Sequence, residues 1–412
     1  MRIVYICRLF SGLSDGLREG VWEPRGVPTV YRLIEALEAA KHELHLIFTI
    51  KDEATAWPKG LPETFPVPGL QNPVTVVPQH LGVCGLRLPR NGYTREIGQY
   101  FRLHRIIKKK APDLLYFDRA NIYGAALTAH RTKVPVVWRV MGVPPPMHKT
   151  LTQKGWVAAV TRKAYKAPFS MVICSKDGSG GHAWMQKALH PNTPRHTLLN
   201  GVDLPGQANP TKSHLSVVPE RQATNVLFVS RLVEEKGCLD FVRAACKVLD
   251  AEENSFHFIV AGSGPYESEM RAMAASSGHT DKIQFLGQVK HGHILHLHQL
   301  CDIYVSLNTM GNLTNANLEA MRSGICIIMP RARGQFDIDV DTEQLIPEDL
   351  AWRINSSGII NGLSEALLYL AKNPKEIEKR AKGIARLANK VIPSWNERVA
   401  NEISILERLK AP

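Results

Sequence analysis

The stretch that decides the fold runs from Asp302 to Met329 and reads DIYVSLNTMGNLTNANLEAMRSGICIIM. Its apolar ends, Asp302–Leu307 and Ile325–Met329, are predicted to be buried strands. Between them a polar loop containing a glycine runs into a short predicted helix, Asn317–Arg322, which carries Glu319. A strand, a helix and a second strand in this order form the β-α-β unit of a parallel sheet.

The loop of this unit has the properties of an anion-binding site. A loop that ends a strand and opens a helix presents unpaired backbone N–H groups, and these bind phosphate. We expect Leu313, Thr314 and Asn315 to supply such groups. Glu319 follows within two turns, where a carboxylate can accept hydrogen bonds from sugar hydroxyls. The pattern therefore predicts a site for a nucleoside diphosphate, with its ribose at Glu319.

The same β-α alternation extends over most of the chain. Residues 204–224 interrupt it with a segment rich in Pro, Gly, Ser and Asn, which is typical of a linker. A chain of 412 residues is also too long for one ordinary core. We therefore predict an α/β protein with two Rossmann-like domains facing a central cleft. The predicted domains are 1–204 and 225–389, joined by a linker at 205–224.

Several short motifs follow the predicted strands in a fixed order. They are Asn200-Gly-Val-Asp203, Arg231-Leu-Val-Glu-Glu-Lys-Gly237, Ala261-Gly-Ser-Gly-Pro265, and Leu318-Glu-Ala-Met321 with Gly324. Together they resemble the retaining glycosyltransferases of family 4, which have the GT-B fold. The resemblance implies a retaining hexosyltransferase that moves a sugar from a nucleotide-diphosphate donor to a saccharide or lipid-linked acceptor. It also implies that a C-terminal helical segment, 390–412, crosses back to the first domain.

Arg231 and Lys236 are the predicted catalytic cations. Transfer of a sugar from a nucleotide diphosphate leaves a strongly anionic diphosphate, which one Arg and one Lys can neutralise without a metal. Charge-assisted hydrogen bonds of this kind contribute about 1.5–3 kcal/mol each, and they strengthen as charge develops on the leaving group. Glu319 completes the predicted catalytic set. Further donor-binding residues that the resemblance implies are Gly26, Gly262 and Gly264.

The sequence departs from the family pattern at two positions. Gly311 stands where the family often has a first glutamate near the donor sugar, and Met141 stands where it usually has a histidine. Acceptor-side polar contacts could come instead from one of three neighbouring residues at predicted strand ends: Asp118, Arg119 and Arg139. A nucleotide-sugar 2-epimerase of GT-B fold and a non-catalytic nucleotide-sugar-binding protein therefore remain alternative functions.

The chain is strongly basic, with 51 Lys and Arg against 38 Asp and Glu, a formal charge of +13. Two basic stretches, Arg95–Lys110 and Lys154–Lys166, also contain aromatic residues. They are either solvated helix faces or faces that contact an anionic membrane. No nucleic-acid-binding module is recognisable, so we expect no nucleic-acid partner. The basic first domain favours an acceptor from cell-envelope or polysaccharide assembly.

Metal and cofactor sites are not expected. The cluster His291–His298 mixes predicted loop and helix in a solvent-facing segment, which is a poor arrangement for converging metal ligands. The Asp337–Asp341 run contains D-x-D twice, but it follows the donor helix in a loop. Gly12, Gly16 and Gly20 lie in a long stretch after the first strand, which we interpret as a mobile loop. We therefore predict no metal and no cofactor beyond the sugar nucleotide.

Composition places the chain among soluble globular proteins, with 44% hydrophobic and 22% charged residues. No apolar run approaches the roughly 20 residues that span a bilayer. The seven cysteines are scattered and include no C-x-x-C, so reduced core cysteines are expected. We expect a cytoplasmic protein, with peripheral contact at the inner face of the membrane as an open alternative.

Overall fold

Both halves of the chain fold into parallel β-sheets covered by helices, as the alternation predicts. The computed structural model describes residues 1–24, 26–51, 63–79, 82–83, 86–87, 92–203 and 222–409. The chain divides into two units, of which unit 1 is Met1–Ser175, Gly181–Leu198 and Asn396–Pro412, and unit 2 is Lys176–Gly180 and Leu199–Trp395. Nearly all of the predicted linker, 205–224, lies outside the described residues.

Unit 1 is built on a sheet of eight strands. The order of the strands is β10-β9-β8-β7-β1-β2-β4-β3, and all neighbours are parallel except β3 and β4. Two further short strands, β5 and β6, pair with each other. The strands are β1 (Arg2–Arg8), β2 (Glu43–Ile50), β3 (Glu63–Phe65), β4 (Val74–Pro78), β5 (Gly82–Val83), β6 (Leu86–Arg87), β7 (Leu114–Asp118), β8 (Val136–Val140), β9 (Met171–Ser175) and β10 (Arg195–Leu198).

Helices cover both faces of this sheet, because successive strand residues point to opposite faces and both sets are apolar. Ile3 and Tyr5 belong to one core, whereas Val4 and Ile6 belong to the other. The helices are α1 (Ser11–Glu19), α2 (Pro28–Ala39), α3 (Gly92–Lys110), α4 (Ile122–Ala129), α5 (Pro145–Thr152), α6 (Trp156–Tyr165) and α7 (Gly181–Ala188).

Unit 2 contains a six-stranded, fully parallel sheet in the order β13-β12-β11-β14-β15-β16. This is the Rossmann order 3-2-1-4-5-6. The strands are β11 (Thr224–Val229), β12 (Phe256–Ala261), β13 (Ile283–Gly287), β14 (Ile303–Val305), β15 (Cys326–Pro330) and β16 (Ala351–Ile354). The helices are α8 (Cys238–Glu252), α9 (Glu267–Ser276), α10 (His291–Leu300), α11 (Asn315–Ser323), α12 (Val340–Leu345), α13 (Ile359–Lys372) and α14 (Pro374–Val391).

A last helix, α15 (Trp395–Glu407), starts at the end of unit 2 and packs into unit 1 from Asn396 onwards. Its Glu402 is fully buried and accepts a hydrogen bond of 2.6 Å from the Tyr116 hydroxyl. Arg398 Nη1 donates to Glu402 Oε2 over 2.7 Å, and Arg139 Nε lies 3.3 Å from Glu402 Oε1. This ionic cluster, Tyr116–Arg139–Arg398–Glu402, joins the C-terminal helix to two central strands.

The prediction of a mobile loop after β1 is wrong. Residues Ser11–Glu19 form α1, which buries Leu13 and Leu17 in the core of unit 1. Gly20 ends the helix at φ +69°, a conformation that glycine adopts at helix C-termini without steric cost. At Gly16 a Cβ would lie 2.9 Å from the Val21 carbonyl oxygen. Gly16 therefore allows close packing, and Gly20 allows the helix to end in the left-handed conformation.

Two simpler expectations can be compared directly with the structure. All the described cysteines, which are Cys7, Cys174, Cys238, Cys246, Cys301 and Cys326, are buried and free. The expectation of reduced core cysteines is confirmed for these six, and Cys84 lies outside the described residues. Among the described helices, none is both long enough and apolar enough to cross a bilayer.

Candidate functional site

The strand order of unit 2 locates a binding site before any side chain is considered. Ligands of doubly wound sheets bind beyond the carboxyl ends of the strands, where the strand order reverses. Here the order reverses between β11 and β14. The loop after β11 contains the motif Arg231–Gly237, and the loop after β14 contains Asn308–Thr314. Both predicted donor-binding segments therefore end adjacent strands at the switch point.

The two loops are joined by specific contacts. The Thr309 backbone N–H donates to the Glu235 carbonyl oxygen over 2.8 Å, and the Thr309 hydroxyl donates to the same oxygen over 3.1 Å. Gly237 has φ +67°, and a Cβ at this position would lie 2.5 Å from Leu307 Cβ. Glycine is therefore required there by both the backbone conformation and the closeness of β14.

The Gly262–Pro265 turn, which follows β12, packs against the start of the Arg231–Gly237 loop. A Cβ at Gly262 would lie 1.8 Å from the Ser230 carbonyl oxygen, and one at Gly264 would lie 2.3 Å from the Leu232 carbonyl oxygen. The Leu232 N–H donates to the Ser263 carbonyl over 2.9 Å. Both glycines thus pack directly against the backbone on either side of Arg231, and their role as donor contacts remains a prediction.

The two predicted catalytic cations differ in environment. The Arg231 side chain is 74% exposed and forms only a loose pair with Glu235, 3.9 Å away. Such exposed pairs contribute little to stability, so the guanidinium is free to change partner. Lys236 is half-buried, and burial followed by the positive charge of Arg231 lowers its pKa. Glu235 and Asp177 act in the opposite direction and favour the charged ammonium.

Helix α11 follows the loop that contacts Glu235 through Thr309. Its N-cap is Thr314, whose hydroxyl accepts a hydrogen bond from the Asn317 N–H. Of the three predicted N–H donors, Leu313 is wrong, because its N–H already donates to the Asp177 carbonyl over 3.1 Å. The roles of Thr314 and Asn315 remain predictions. The Asn315 side chain accepts a hydrogen bond from Asn200 over 2.8 Å, which holds this helix start in place.

Glu319 lies in the second turn of α11 and is half-buried. Its nearest described neighbours include Tyr304, whose pKa is raised first by burial and then by the Glu319 charge. The Tyr304 hydroxyl donates instead to Asn317 Oδ1 over 3.0 Å. Glu319 therefore lies on the helix that bears the predicted phosphate-binding N-terminus, and its role as the ribose ligand remains a prediction.

A third segment, absent from the predicted site residues, contacts the loop after β14, because the Asp177 carbonyl accepts the hydrogen bond from Leu313. Lys176–Gly180 belongs to unit 2, although the chain on both sides of it belongs to unit 1. Within it, Asp177 Oδ1 accepts hydrogen bonds from the N–H and the hydroxyl of Ser179, at 3.1 and 2.5 Å. The Asp177 charge acts on Lys236. The sequence signal that could have found it is the Asp-Gly-Ser-Gly run at a strand end, which is typical of a turn.

Asp339, from the D-x-D run, ties these parts together. It is fully buried and accepts hydrogen bonds from the Asn312 N–H and side-chain amide, at 2.6 and 2.7 Å, and from the Thr342 hydroxyl at 2.7 Å. Its own N–H donates to the Gly178 carbonyl over 2.7 Å. Burial raises the pKa of Asp339 despite these donors. The middle carboxylate of the run therefore supports the loop structurally.

The expectation that the whole histidine cluster faces solvent is wrong, because part of it is buried. Helix α10 starts at His291, and its Leu297 and His298 are buried against the core of unit 2. His298 Nδ1 lies 3.2 Å from the Ser323 hydroxyl, and burial lowers the pKa of His298 to about 4. Among the described residues, no three His, Cys, Asp or Glu side chains are placed to hold a metal ion.

Two acceptor-side predictions in unit 1 are wrong. Arg139 is only 1% exposed. It forms an ion pair with Glu402 in the core and donates a hydrogen bond of 2.9 Å to the Ser175 hydroxyl. Asp118 is also buried, and it accepts hydrogen bonds from the Arg8 N–H at 2.9 Å and the Asn121 amide at 2.6 Å. Both side chains are buried and hydrogen-bonded within unit 1, where they hold strand ends together.

The acceptor-side role of Arg119 and the donor-binding role of Gly26, both in unit 1, remain predictions. Arg119 is partly exposed, and its guanidinium donates to the Gly142 carbonyl over 3.4 Å. Gly26 precedes α2 with φ +96°, and a Cβ there would lie 3.5 Å from the Phe10 ring. Its backbone conformation thus favours glycine.

Comparison with known proteins agrees with this architecture. Residues 216–383 match the family described as glycosyl transferases group 1, and residues 26–186 match the glycosyl transferase 4-like domain. No curated protein matches the chain. Sucrose-phosphate synthase from Thermosynechococcus elongatus is a similar solved structure, with a TM-score of 0.71 and 13% identity over 99% of each chain.

Two other solved structures are similar over nearly the whole chain. Anabaena Alr3699/HepE in complex with UDP has a TM-score of 0.67 and 16% identity, and covers 98% of this chain and 100% of its own. WaaG, a glycosyltransferase involved in lipopolysaccharide biosynthesis, has a TM-score of 0.60 and 13% identity, and covers 98% of this chain and 99% of its own.

The two parallel sheets, the Rossmann strand order and the two matched domains define a transferase with Rossmann-like units. More specifically, the chain is a glycosyltransferase of the GT-B fold. The predicted fold class and enzyme class are thereby confirmed.

Proposed function

We propose that the enzyme transfers a sugar from a nucleotide-diphosphate donor with retention of anomeric configuration and without a metal ion. The observation that carries the proposal is that the loop bearing Arg231 and Lys236 and the loop leading into α11 follow adjacent strands at the switch point of unit 2 and are joined through Glu235 and Thr309. An exposed guanidinium, a half-buried ammonium and a helix N-terminus form a set of positive groups suited to a diphosphate.

In the proposed reaction, the bond between the sugar C1 and the diphosphate oxygen breaks as the acceptor oxygen bonds to C1 on the same face. The acceptor hydroxyl gives its proton to the departing phosphate oxygen. The negative charge that develops on this diphosphate is stabilised by Arg231 and Lys236. Neither step requires a protein carboxylate as a base, and the cations take the place that a metal ion has in other transferases.

The donor is proposed to be a nucleotide sugar partly because similar proteins are known with one. The HepE structures contain UDP, UDP with glucose, or UDP-glucose, and pneumococcal GtfA contains UDP and GlcNAc. At 14–16% sequence identity, these similarities support a shared fold but do not identify the base or the sugar of the donor. We propose a saccharide or lipid-linked acceptor in cell-envelope or polysaccharide assembly, because unit 1 is rich in cations.

The test is incubation of the purified protein with UDP-, GDP-, ADP- and dTDP-sugars in the presence of a chelator. Nucleotide release that depends on an added acceptor supports transfer. Retention is supported if NMR shows that the sugar in the product has the same anomeric configuration as in the donor. Isomerisation of the donor sugar would instead indicate an epimerase. Binding of a sugar nucleotide without turnover, whatever the acceptor, would indicate a non-catalytic binding protein.

A further inference from the structure

One face of unit 1 has an unusual distribution of charge. Between Arg119 and Lys176 the sequence contains no Asp or Glu. The same stretch, which includes α4, α5 and α6, contains these basic residues of unit 1 that are not buried: Arg119, Arg131, Lys133, Lys149, Lys154, Arg162, Lys163 and Lys166. Protein surfaces normally mix charges of both signs. A stretch of a single sign creates a positive field that attracts an anionic partner.

Exposed apolar side chains are concentrated on the same face. Helix α6 exposes Trp156 to 66%, Val157 to 40% and Val160 to 43%. These are three of the six large hydrophobic residues exposed in the described part of the chain, although α6 is only ten residues long. Isolated exposed apolar residues are normal, but a cluster on one helix marks an interaction site.

A groove continues this apolar surface between α4 and α6. It has a volume of about 420 Å³. Its lining is mainly apolar (Tyr123, Ala126, Leu127, Val160 and Ala164), with Lys163, His130 and one acidic residue, Glu96. The two helices are held together beside it by a 2.7 Å hydrogen bond between the Tyr123 and Thr161 hydroxyls. Val160 lines the groove, and Trp156 lies one turn earlier on the same side of α6, so the groove and the exposed tryptophan form one surface.

We propose that this face of unit 1 docks on an anionic lipid bilayer, with Trp156 and Val157 in the interfacial region and one lipid acyl chain in the α4–α6 groove. Tryptophan is enriched at membrane interfaces because its ring is apolar at one end and polar at the other. Lys154, Lys163 and Lys166 are exposed around it and match the negative surface of such a bilayer.

The chemistry favours a lipid over a nucleic acid as the partner. A nucleic acid requires polar groups and stacking platforms along a charged path. The groove instead is lined mainly by apolar side chains, with Lys163 and Glu96 as its charged residues. Such a lining suits a hydrocarbon chain, whose anionic headgroup would lie near the exposed Lys154 and Lys166. The docking surface itself is independent of the proposed function. Only its purpose, bringing the enzyme to a lipid-linked acceptor, rests on that function.

The experiment is co-sedimentation of the full-length protein with vesicles of phosphatidylcholine alone or mixed with phosphatidylglycerol. We expect at least about tenfold tighter binding to the anionic vesicles, weakened by salt, because several cations of this face lie in the negative surface potential of such a bilayer. Trp156→Ala and Lys163→Glu should each weaken binding about fivefold or more, and Ala126→Phe, which fills the groove, should also weaken it. Tyr369→Ala and Lys390→Glu, exposed residues of unit 2, are the matched controls.

Loss of binding in Trp156→Ala but not in Tyr369→Ala, with unchanged circular dichroism and melting temperature, supports the proposal. Equal binding to both kinds of vesicle, equal binding of Trp156→Ala and the wild type, or retention by RNA with none by vesicles would overturn it. Arg231→Ala should bind vesicles like the wild type. A wild-type protein that binds vesicles without transferring sugar would refute the proposed function and leave the docking surface intact.

Discussion

Gly311 lies so close to Asp177 that position 311 has no space for a side chain. A Cβ at Gly311 would be 2.6 Å from the Asp177 carbonyl oxygen and 2.5 Å from the Gly178 carbonyl carbon. Gly311 also has φ +118°, which favours glycine. The departure from the family pattern at this position therefore has a physical cause, because the Asp177–Ser179 turn occupies the place of the expected side chain. The side chain of Asp177, in the same turn, is one of the two carboxylates whose charge raises the pKa of Lys236, after Glu235.

Substitution of Gly311 tests this close packing. Gly311→Ala should lower the free energy of unfolding by at least about 3 kcal/mol, since the new Cβ must displace backbone in addition to straining φ. Gly358→Ala is the matched control, because Gly358 has φ +81° but nothing within 4 Å of a new Cβ, so only strain of about 1–2 kcal/mol applies. Chemical denaturation measures both. Equal losses in the two variants would contradict the proximity of Gly311 and Asp177.

Removal of the Asp177 charge should change the pH dependence of the reaction. Burial and Arg231 lower the pKa of Lys236, and Asp177 partly opposes them. Asp177→Asn should therefore lower the pKa of Lys236 further, and the loss of kcat/KM at high pH should begin at a lower pH. Ser179→Ala keeps the carboxylate and is the control. An Asp177→Asn profile that coincides with the wild type on the basic side would show that Asp177 does not act on Lys236.

The ionic cluster around Glu402 should dominate the stability of unit 1. Glu402→Gln leaves Arg139 and Arg398 buried without a counter-charge, which typically costs about 3–5 kcal/mol. Glu407→Gln, on an exposed residue of the same helix, should cost less than about 0.5 kcal/mol. Denaturant unfolding of both variants provides the measurement, and similar stabilities would contradict the proposed importance of the cluster.

Glu402 also implies a direction for the pH dependence of stability. Burial would raise its pKa, but Arg139 and Arg398 outweigh burial and hold the pKa below its usual value. A carboxyl with a lowered folded-state pKa stabilises the protein above its unfolded-state pKa. This contribution is lost as pH falls through the folded-state pKa, so the wild type should lose more stability than Glu402→Gln on acidification below about pH 4.

His298 should make the stability of unit 2 depend on pH at less acidic values than Glu402 does, between about pH 7 and pH 4. Burial lowers its folded-state pKa from 6.5 to about 4. The unfolded chain therefore binds more protons between these values, so the stabilisation is complete above pH 6.5 and is lost as pH falls toward 4. Between pH 7 and pH 5 the loss is about 2 kcal/mol. His298→Gln should remove this part of the pH dependence, whereas the exposed His296→Gln should retain it.

Urea unfolding at pH 7 and pH 5 measures these differences. If His298→Gln loses as much stability as the wild type on going to pH 5, the buried imidazole is not the group that titrates.

The sequence predicted the parallel sheets because their strands are apolar on both faces. The Arg231–Gly237 and Gly262–Pro265 loops were identified by their resemblance to family motifs, and only the structure shows the close backbone contacts at Gly262 and Gly264. Arg139 was misjudged because the partner that buries it, Glu402, lies in a distant part of the chain. Its position in the apolar strand β8, flanked by strands on both sides, was the available signal. The Asp-Gly-Ser-Gly run at 177–180 indicates a turn, but the effect of Asp177 on Lys236 could not be predicted, because only the folded chain brings Lys176–Gly180 into unit 2.

The central claim is that Arg231 and Lys236 bind the diphosphate of the donor. The most direct test is calorimetric binding of a nucleoside diphosphate and of the corresponding nucleoside to the wild type, Arg231→Ala and Lys236→Ala, with Arg243→Ala as a control on an exposed arginine of α8. We predict that each site variant weakens diphosphate binding by about 10–100-fold, as expected for one charge-assisted hydrogen bond, and leaves nucleoside binding unchanged. Wild-type affinity for the diphosphate in both site variants would contradict the claim.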